Sequence, residues 1–375
     1  MKKEDDFMPK SRIEKIQQTL RQKPEPTALL VASEENRRYL TDIATSSGYV
    51  MITPENKYFF TDFRYLEFAK KSLGELYEVA LYPKENYNEI LKKENIKNIL
   101  FEENYISLKT KKSFDEMFCD FALCESGGLI EEMRKIKDES ELENIKRAQH
   151  ITDKAFGHIL KLISQNINTI TESDIALELE YFMRKNGAEA IAFDTIAVSG
   201  KKSSYPHGQP ENIKLSNGFL TLDFGAKYRG YCADMTRTIC VSHPSEKMTE
   251  VYNTVKSAQA EALNMIKANA DGLEIDTAAR AIIDGAGYGK NFGHGLGHSV
   301  GLEIHESPNF PNSEKEKDKQ EDKKTKLTLF ENLVITVEPG IYIEDEFGVR
   351  IEDLVVVTKD GCENLTASDK ELICI

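Results

Sequence analysis

Between Asn291 and Glu306 the chain reads NFGHGLGHSVGLEIHE, a stretch that holds His294, His298 and His305, three of the chain's seven histidines, together with four glycines. Glycine in a helix interior costs close to 1 kcal/mol against alanine, so this segment is not a helix core. A solvated loop would have no use for three imidazoles spaced by four and seven residues. The pattern instead predicts a tightly turned segment that aims imidazoles at a bound group, and the fold has to bring that group's other partners to the same place.

At 375 residues the chain exceeds one comfortable hydrophobic core, and two domains are expected. With 40% hydrophobic and 30% charged residues it reads as a globular protein. A formal net charge of -14 provides no cationic field to gather phosphates, which excludes nucleic acid as the main partner and leaves a cationic ligand open. The cysteines at 119, 124, 232, 240, 362 and 374 show no metal-binding or redox spacing and read as free thiols of a reducing compartment. The start, MKKEDDFMPKSR, has no apolar export core, and no run approaches 18 apolar residues. A cytoplasmic protein with no membrane partner is expected.

Along the chain, strand-like runs at 28–32, 48–53, 57–61 and 78–82 alternate with helical patterns at 64–71 and 87–93, behind a frayed first dozen residues. They predict a small α/β domain over 1–127 with no glycine-rich phosphate loop. From Asp138 apolar residues recur at helical spacing, followed by helices at 173–184, 248–268 and 276–284, with strands at 191–198, 219–223, 333–337 and 354–358. This is the pattern of a larger α+β domain over 128–375. Within it Ser313 to Lys326 carries eleven charges in fourteen residues and no apolar side chain, the composition of a mobile solvated insert.

Two expected hairpins carry acidic pairs. A turn between Tyr228 and Arg229 would set Asp223 opposite Asp234, and a turn at Asp345 would set Glu338 opposite Glu352, beside Arg350. Each carboxylate near a turn could be a solvated edge. However, Asp223 lies inside the apolar strand FLTLDFG and Glu352 leads into DLVVV, so both are half-buried. Close buried carboxylates repel, and a shared cation removes the conflict. Two such pairs with a histidine cluster point to a binuclear metal site rich in oxygen donors. The residues alone do not say which histidine binds, or which reaction follows.

The chain also resembles a known family. The stretches Asn36-Arg-Arg-Tyr-Leu-Thr41 and Thr61-Asp-Phe-Arg-Tyr65 resemble marks of its N-terminal domain, and Arg134-Lys-Ile-Lys137 with Glu141 resembles its interdomain junction. With the motifs around Asp223, Asp234, His298, Glu338 and Glu352 in order, nearly the whole chain is similar to the pita-bread metallopeptidases, within them the Xaa-Pro aminopeptidases and Xaa-Pro dipeptidases (prolidases). The resemblance implies a pita-bread catalytic domain behind a creatinase-type N-terminal domain. It also implies two divalent metal ions, most often Mn2+ with Co2+ or Zn2+ as substitutes. Asp223 would bind one ion, His298 and Glu338 the other, and Asp234 and Glu352 would bridge them. A hydroxide between the ions would attack the peptide, with Glu338 as general base. By the same similarity His305 and His207 would face the tetrahedral intermediate, His294 would lie by the proline, and Arg350 would orient the carboxylates and border the substrate. Phe193 and Tyr205 are candidates for the proline pocket from their position in the chain, and His150, His158 and His243 have no role.

Proline-containing peptides are the implied partners, in a homodimer. Dipeptidase-type members commonly carry an arginine where Asn309 stands, so its absence favours an Xaa-Pro aminopeptidase, with the dipeptidase as alternative should a lysine of the insert replace it. Methionine aminopeptidase, creatinase-like hydrolysis and a non-catalytic relative fit less well, because the N-terminal domain and all five ligands are present. Asn332, where the family commonly has glycine, tolerates a positive φ.

Overall fold

The computed structural model describes residues 8–82, 87–317, 319 and 325–375. It comprises two compact units that divide between Met133 and Arg134. The first is built on a six-stranded sheet whose spatial order is Glu78–Leu81, Lys57–Thr61, Tyr49–Ile52, Thr27–Val31, Asn98–Phe101 and Ala122–Glu125. The three inner strands form an antiparallel meander and the outer pairs run parallel. Every residue of Thr27–Val31 is buried, which is why that strand reads as one apolar run rather than an alternation. The chain start differs from the expectation of fraying, which in part (residues 1–7) falls outside the described residues. Met8–Arg21 is a helix, because Ile13, Ile16 and Leu20 recur on one face and are buried there.

The second unit has two apolar cores. In one, the helices Glu139–Asn166 and Glu172–Lys185 cover the sheet formed by Ile196–Ser199, Gly218–Asp223 and Thr236–Val241. Both helices begin in a reciprocal capping box, Asp138 with Glu141 and Thr171 with Asp174. In the other, the helices Glu246–Met265 and Gly272–Gly285 pack on the strands Val334–Val337 and Asp353–Val357. The expected strand over 191–198 is split. Ala190–Ile191 pairs with Ala226–Lys227, Ile196–Ser199 pairs with Gly218–Asp223, and Phe193 and Asp194 between them line a cavity. The charged insert starts with a single helical turn, Ser313–Glu316, capped by the Asn312 side chain. Residues 318 and 320–324 of that expected loop lie outside the described residues. Among the described residues no helix is long and apolar enough to cross a membrane.

Candidate metal centre

The carboxylates are placed by strand register. The strand Gly340–Ile343 pairs with Phe347–Arg350 about Asp345, which adopts φ 58°, and Val337 pairs with Asp353 just beyond. Both ladders keep one register, so Glu338 and Glu352 face each other in the gap between them, as the expected turn requires. The first hairpin differs. Its turn is Arg229-Gly230, with φ of 46° and 86°, and Lys227 pairs with Cys232. Two consecutive positive-φ residues suit a two-residue hairpin turn, and they move the turn centre on by one residue and the cross-strand partner by two. Asp223 therefore lies opposite Thr236, not Asp234. Asp234 projects from the link between Tyr231–Cys232 and Thr236–Val241 and still reaches the cluster.

Ligand atoms of Asp234, His298 and Glu352 lie within 4.8 Å of one another. His298 Nε2 is 3.5 Å from both Asp234 Oδ2 and Glu338 Oε1. Arg350 donates to Asp223 Oδ2 at 2.6 Å. The structure thus gathers all five expected ligands in the lining of a cavity of about 600 Å³. Burial first, then Glu352, Asp223 and Glu338, push the Asp234 carboxyl well above its ordinary range. Burial and then Glu338 and Asp223 do the same to Glu352. Glu338 is pushed up to about 8, chiefly by burial and partly offset by Arg350. Such mutual repulsion persists only where something opposes it.

The histidines divide by their bonding. His298 Nδ1 lies 3.2 Å from the Ser299 carbonyl, and an N–H donated there leaves Nε2 bare toward the carboxylates. Burial, then His305, lower its pKa to about 4, so the ring is neutral. The rings of His298 and His305 are 4.4 Å apart. Burial, then His207, lower the His305 pKa as well, and both His305 and His207 are exposed at the cavity. His294 has both nitrogens engaged, with Nδ1 at the Gly295 carbonyl and Nε2 accepting from the Tyr342 hydroxyl. Its pKa falls to about 4, chiefly through burial. It lines the cavity with no free donor. Phe193 also lines the cavity, whereas Tyr205 is 57% exposed and outside the lining, because it follows the short 3-10 turn Gly200–Ser204 and faces outward. His158 pairs with Glu178 and stacks on Phe182, away from the cavity.

Several working residues had no signal in the spacing. Thr236 donates to Glu352 Oε2 at 2.6 Å and accepts from Arg350 Nε at 2.9 Å. Thr336 accepts from the His298 amide and donates to Glu338, and a Cβ on Gly297 would lie 2.1 Å from the Thr336 carbonyl, so only glycine permits this approach. Tyr342 accepts from Arg350 Nη1 at 2.8 Å, and its hydroxyl occupies the space a side chain at Gly340 would need. Arg350 is thus committed to Asp223, Thr236, Tyr342 and the Pro206 carbonyl. Glu306 is held by Arg134 and by Lys137 at 2.9 Å. Burial alone would raise its carboxyl, but these two cations bring it down to about 2. This buried knot, next to His305 in sequence, explains the basic Arg134-Lys-Ile-Lys137 run.

The donor set fits divalent cations. Asp223 Oδ1 is buried with no hydrogen-bond partner, four carboxylates face a single guanidinium, and oxygen donors outnumber the one imidazole. Hard or borderline ions such as Mn2+, Co2+ or Zn2+ suit that set. The comparisons agree with this chemistry. Residues 12–136 match the creatinase/prolidase N-terminal domain, and residues 143–359 match metallopeptidase family M24. An Xaa-Pro dipeptidase of Pyrococcus horikoshii is 35% identical over 352 residues, covering 92% of this chain and 94% of the relative. Among solved structures, an Xaa-Pro dipeptidase of Bacillus anthracis superposes with a TM-score of 0.88 at 38% identity, covering 98% of this chain and all of that one. An X-Pro aminopeptidase of Thermotoga maritima gives 0.84 at 35%, covering 93% and 98%. With its ligand cluster, its N-terminal domain and these relatives, the chain belongs to metallopeptidase family M24, the pita-bread peptidases.

Proposed function

We propose that this metallopeptidase is an Xaa-Pro dipeptidase, which hydrolyses the bond between an N-terminal residue and a C-terminal proline. The observation that carries this reading is the near full-length similarity to the Bacillus anthracis Xaa-Pro dipeptidase, seconded by the Pyrococcus horikoshii dipeptidase. It displaces the aminopeptidase expectation, which rested on Asn309 standing where an arginine is common. The Thermotoga maritima relative keeps the aminopeptidase as the second reading.

In this reading Asp223, Asp234, His298, Glu338 and Glu352 hold two divalent ions, Mn2+ first among them. When bound, such ions polarise the scissile carbonyl and acidify a water so that it can act near neutral pH. The chain's own groups do the rest. Glu338, whose Oε1 lies 3.5 Å from His298 Nε2 within the cluster, accepts a proton from the attacking water and returns it to the departing proline nitrogen. His305 and His207, at the open side of the cavity, steady the carbonyl oxygen as it gains charge. Proline has no amide hydrogen to satisfy. The His294 ring has both nitrogens engaged and Phe310 also lines the cavity, so these side chains suit a proline ring and offer nothing to an N–H.

Initial rates on manganese-loaded protein test the reading with Gly-Pro, Gly-Pro-Ala and Gly-Ala-Ala. We expect Gly-Pro to be cleaved at least about ten-fold faster than either tripeptide. Faster cleavage of Gly-Pro-Ala after its first residue would establish the aminopeptidase, and no cleavage of either proline substrate would sink both readings. The six free cysteines accord with a reducing cytoplasm. We also propose a homodimer; a single 42.5 kDa species in sedimentation at micromolar concentration would overturn it.

A further inference from the structure

We propose that Lys315, at the start of the charged insert, binds the free carboxylate of the dipeptide substrate, an inference that rests on the dipeptidase reading above. An Xaa-Pro dipeptide presents a carboxylate on the proline itself, so the group that reads it must stand by the proline pocket and away from the acidic cluster. The cavity lining contains two permanent cations, Arg350 and Lys315. Arg350 is committed to Asp223, Thr236, Tyr342 and Pro206. The Lys315 ammonium has no ion pair or hydrogen bond with any described residue, although Lys317 and Lys319 of the same insert each hold a glutamate. Asn309 and Asn312 line the cavity beside it and bring amide groups to the same end.

The base of this lysine is anchored, which separates it from a free surface charge. The Ser313 amide donates to Asp276 Oδ2 at 2.8 Å, and the Glu316 carboxylate accepts the Thr325 amide at 3.0 Å and its hydroxyl at 3.1 Å. Arg280 grips Asp276 at 2.7 Å and donates to the carbonyls of Phe292 and His294. The Phe310 amide bonds to the Gly297 carbonyl at 3.0 Å. One Asp276–Arg280 unit therefore positions both the helical turn that carries Lys315 and the backbone of His294, the wall assigned to proline. From this mount the four-carbon stem lets the ammonium swing onto a carboxylate beside the ring.

The test compares Ala-Pro with Ala-Pro-amide on metal-loaded wild-type protein and on Lys315→Met and Lys315→Arg. A charge-assisted contact of this kind predicts a ten- to hundred-fold rise in KM for Ala-Pro in Lys315→Met, with kcat changed less than about three-fold. Lys315→Arg should recover most of the affinity, and the methionine variant's penalty on the uncharged amide should stay below about three-fold, which also shows that it folds and binds metal. Equal losses on both substrates, or no loss on either, overturn the assignment of Lys315 while leaving the dipeptidase standing. Wild-type protein that leaves Ala-Pro uncut but cleaves Ala-Pro-Ala removes the dipeptidase reading and this inference with it.

Discussion

Asp234→Asn is expected to lower kcat/KM on an Xaa-Pro dipeptide by about a thousand-fold or more, and at the same time to make the metal-free protein more stable. The two effects have one origin. Asp234 is 4% exposed, faces Glu352, Asp223 and Glu338, and has His298 as its nearest nitrogen partner at 3.5 Å. Without ions its charge is opposed by burial and by three like neighbours, so a neutral isostere relieves the cluster. With ions the same carboxylate is a ligand, and its loss loosens the whole constellation that activates water. Thermal unfolding of both proteins after chelation checks the first effect. Each kcal/mol relieved should raise Tm by about 2–4 °C for a unit of this size. Initial rates after metal loading check the second. A variant that loses activity and is also less stable without metal would show that Asp234 serves the fold rather than the ions.

Removal of metal should leave a protein whose stability falls as pH rises from about 7 to 8, above the range in which the buried neutral His294 and His298 act in the opposite sense, and added Mn2+ should restore more at pH 8 than at pH 5. Glu338, pushed up to about 8, and Asp234 and Glu352, both raised, have folded-state pKa values above their unfolded ones. A group shifted in this direction contributes stability that is fully present below the unfolded pKa and is lost as pH rises through the folded one. Metal binding requires the deprotonated carboxylates, so ions compete with protons and bind more tightly as pH rises. At a free ion concentration a hundred times Kd, one site adds about 2.7 kcal/mol, or roughly 5–10 °C in Tm at about 2–4 °C per kcal/mol. Tm measured with and without Mn2+ across this pH range checks the sign. A Mn2+-induced rise that is larger at pH 5 would contradict it.

Some of this site was legible in the sequence because the chemistry of close carboxylates is local to their strands. The register that faces Glu338 with Glu352 follows from counting outward from Asp345. The first hairpin went one residue astray because its turn was centred without weighing Gly230, whose positive φ the backbone exploits together with Arg229. Asp234 was nevertheless in the right neighbourhood, since a link between two strands can reach where a ladder partner cannot. Thr236, Thr336 and Tyr342 could not be found from spacing. Their hydroxyls matter through partners that spacing does not single out, Glu352 for Thr236, the His298 amide for Thr336 and Arg350 for Tyr342. The helix Met8–Arg21 was hidden by its charges, although Ile13, Ile16 and Leu20 mark its buried face. The charged insert pointed to a lysine without saying which, since Lys315 is one charge among eleven there.

The common register on either side of Glu338 and Glu352 also tells an engineer where this enzyme can be lengthened. The strands Val334–Val337 and Asp353–Val357 pair with each other and also with His298–Ser299 and Cys362–Asn364, and the hairpin tip at Glu344, Asp345 and Glu346 touches the rest of the unit through the exposed pair of Glu346 with Lys247. A reporter peptide or affinity handle grafted at Asp345 extends outward and leaves the spacing of the two glutamates untouched. The short connectors Glu338-Pro339 and Ile351-Glu352 have no such freedom, since one added residue in either would turn a carboxylate of the cluster to the opposite side of the sheet.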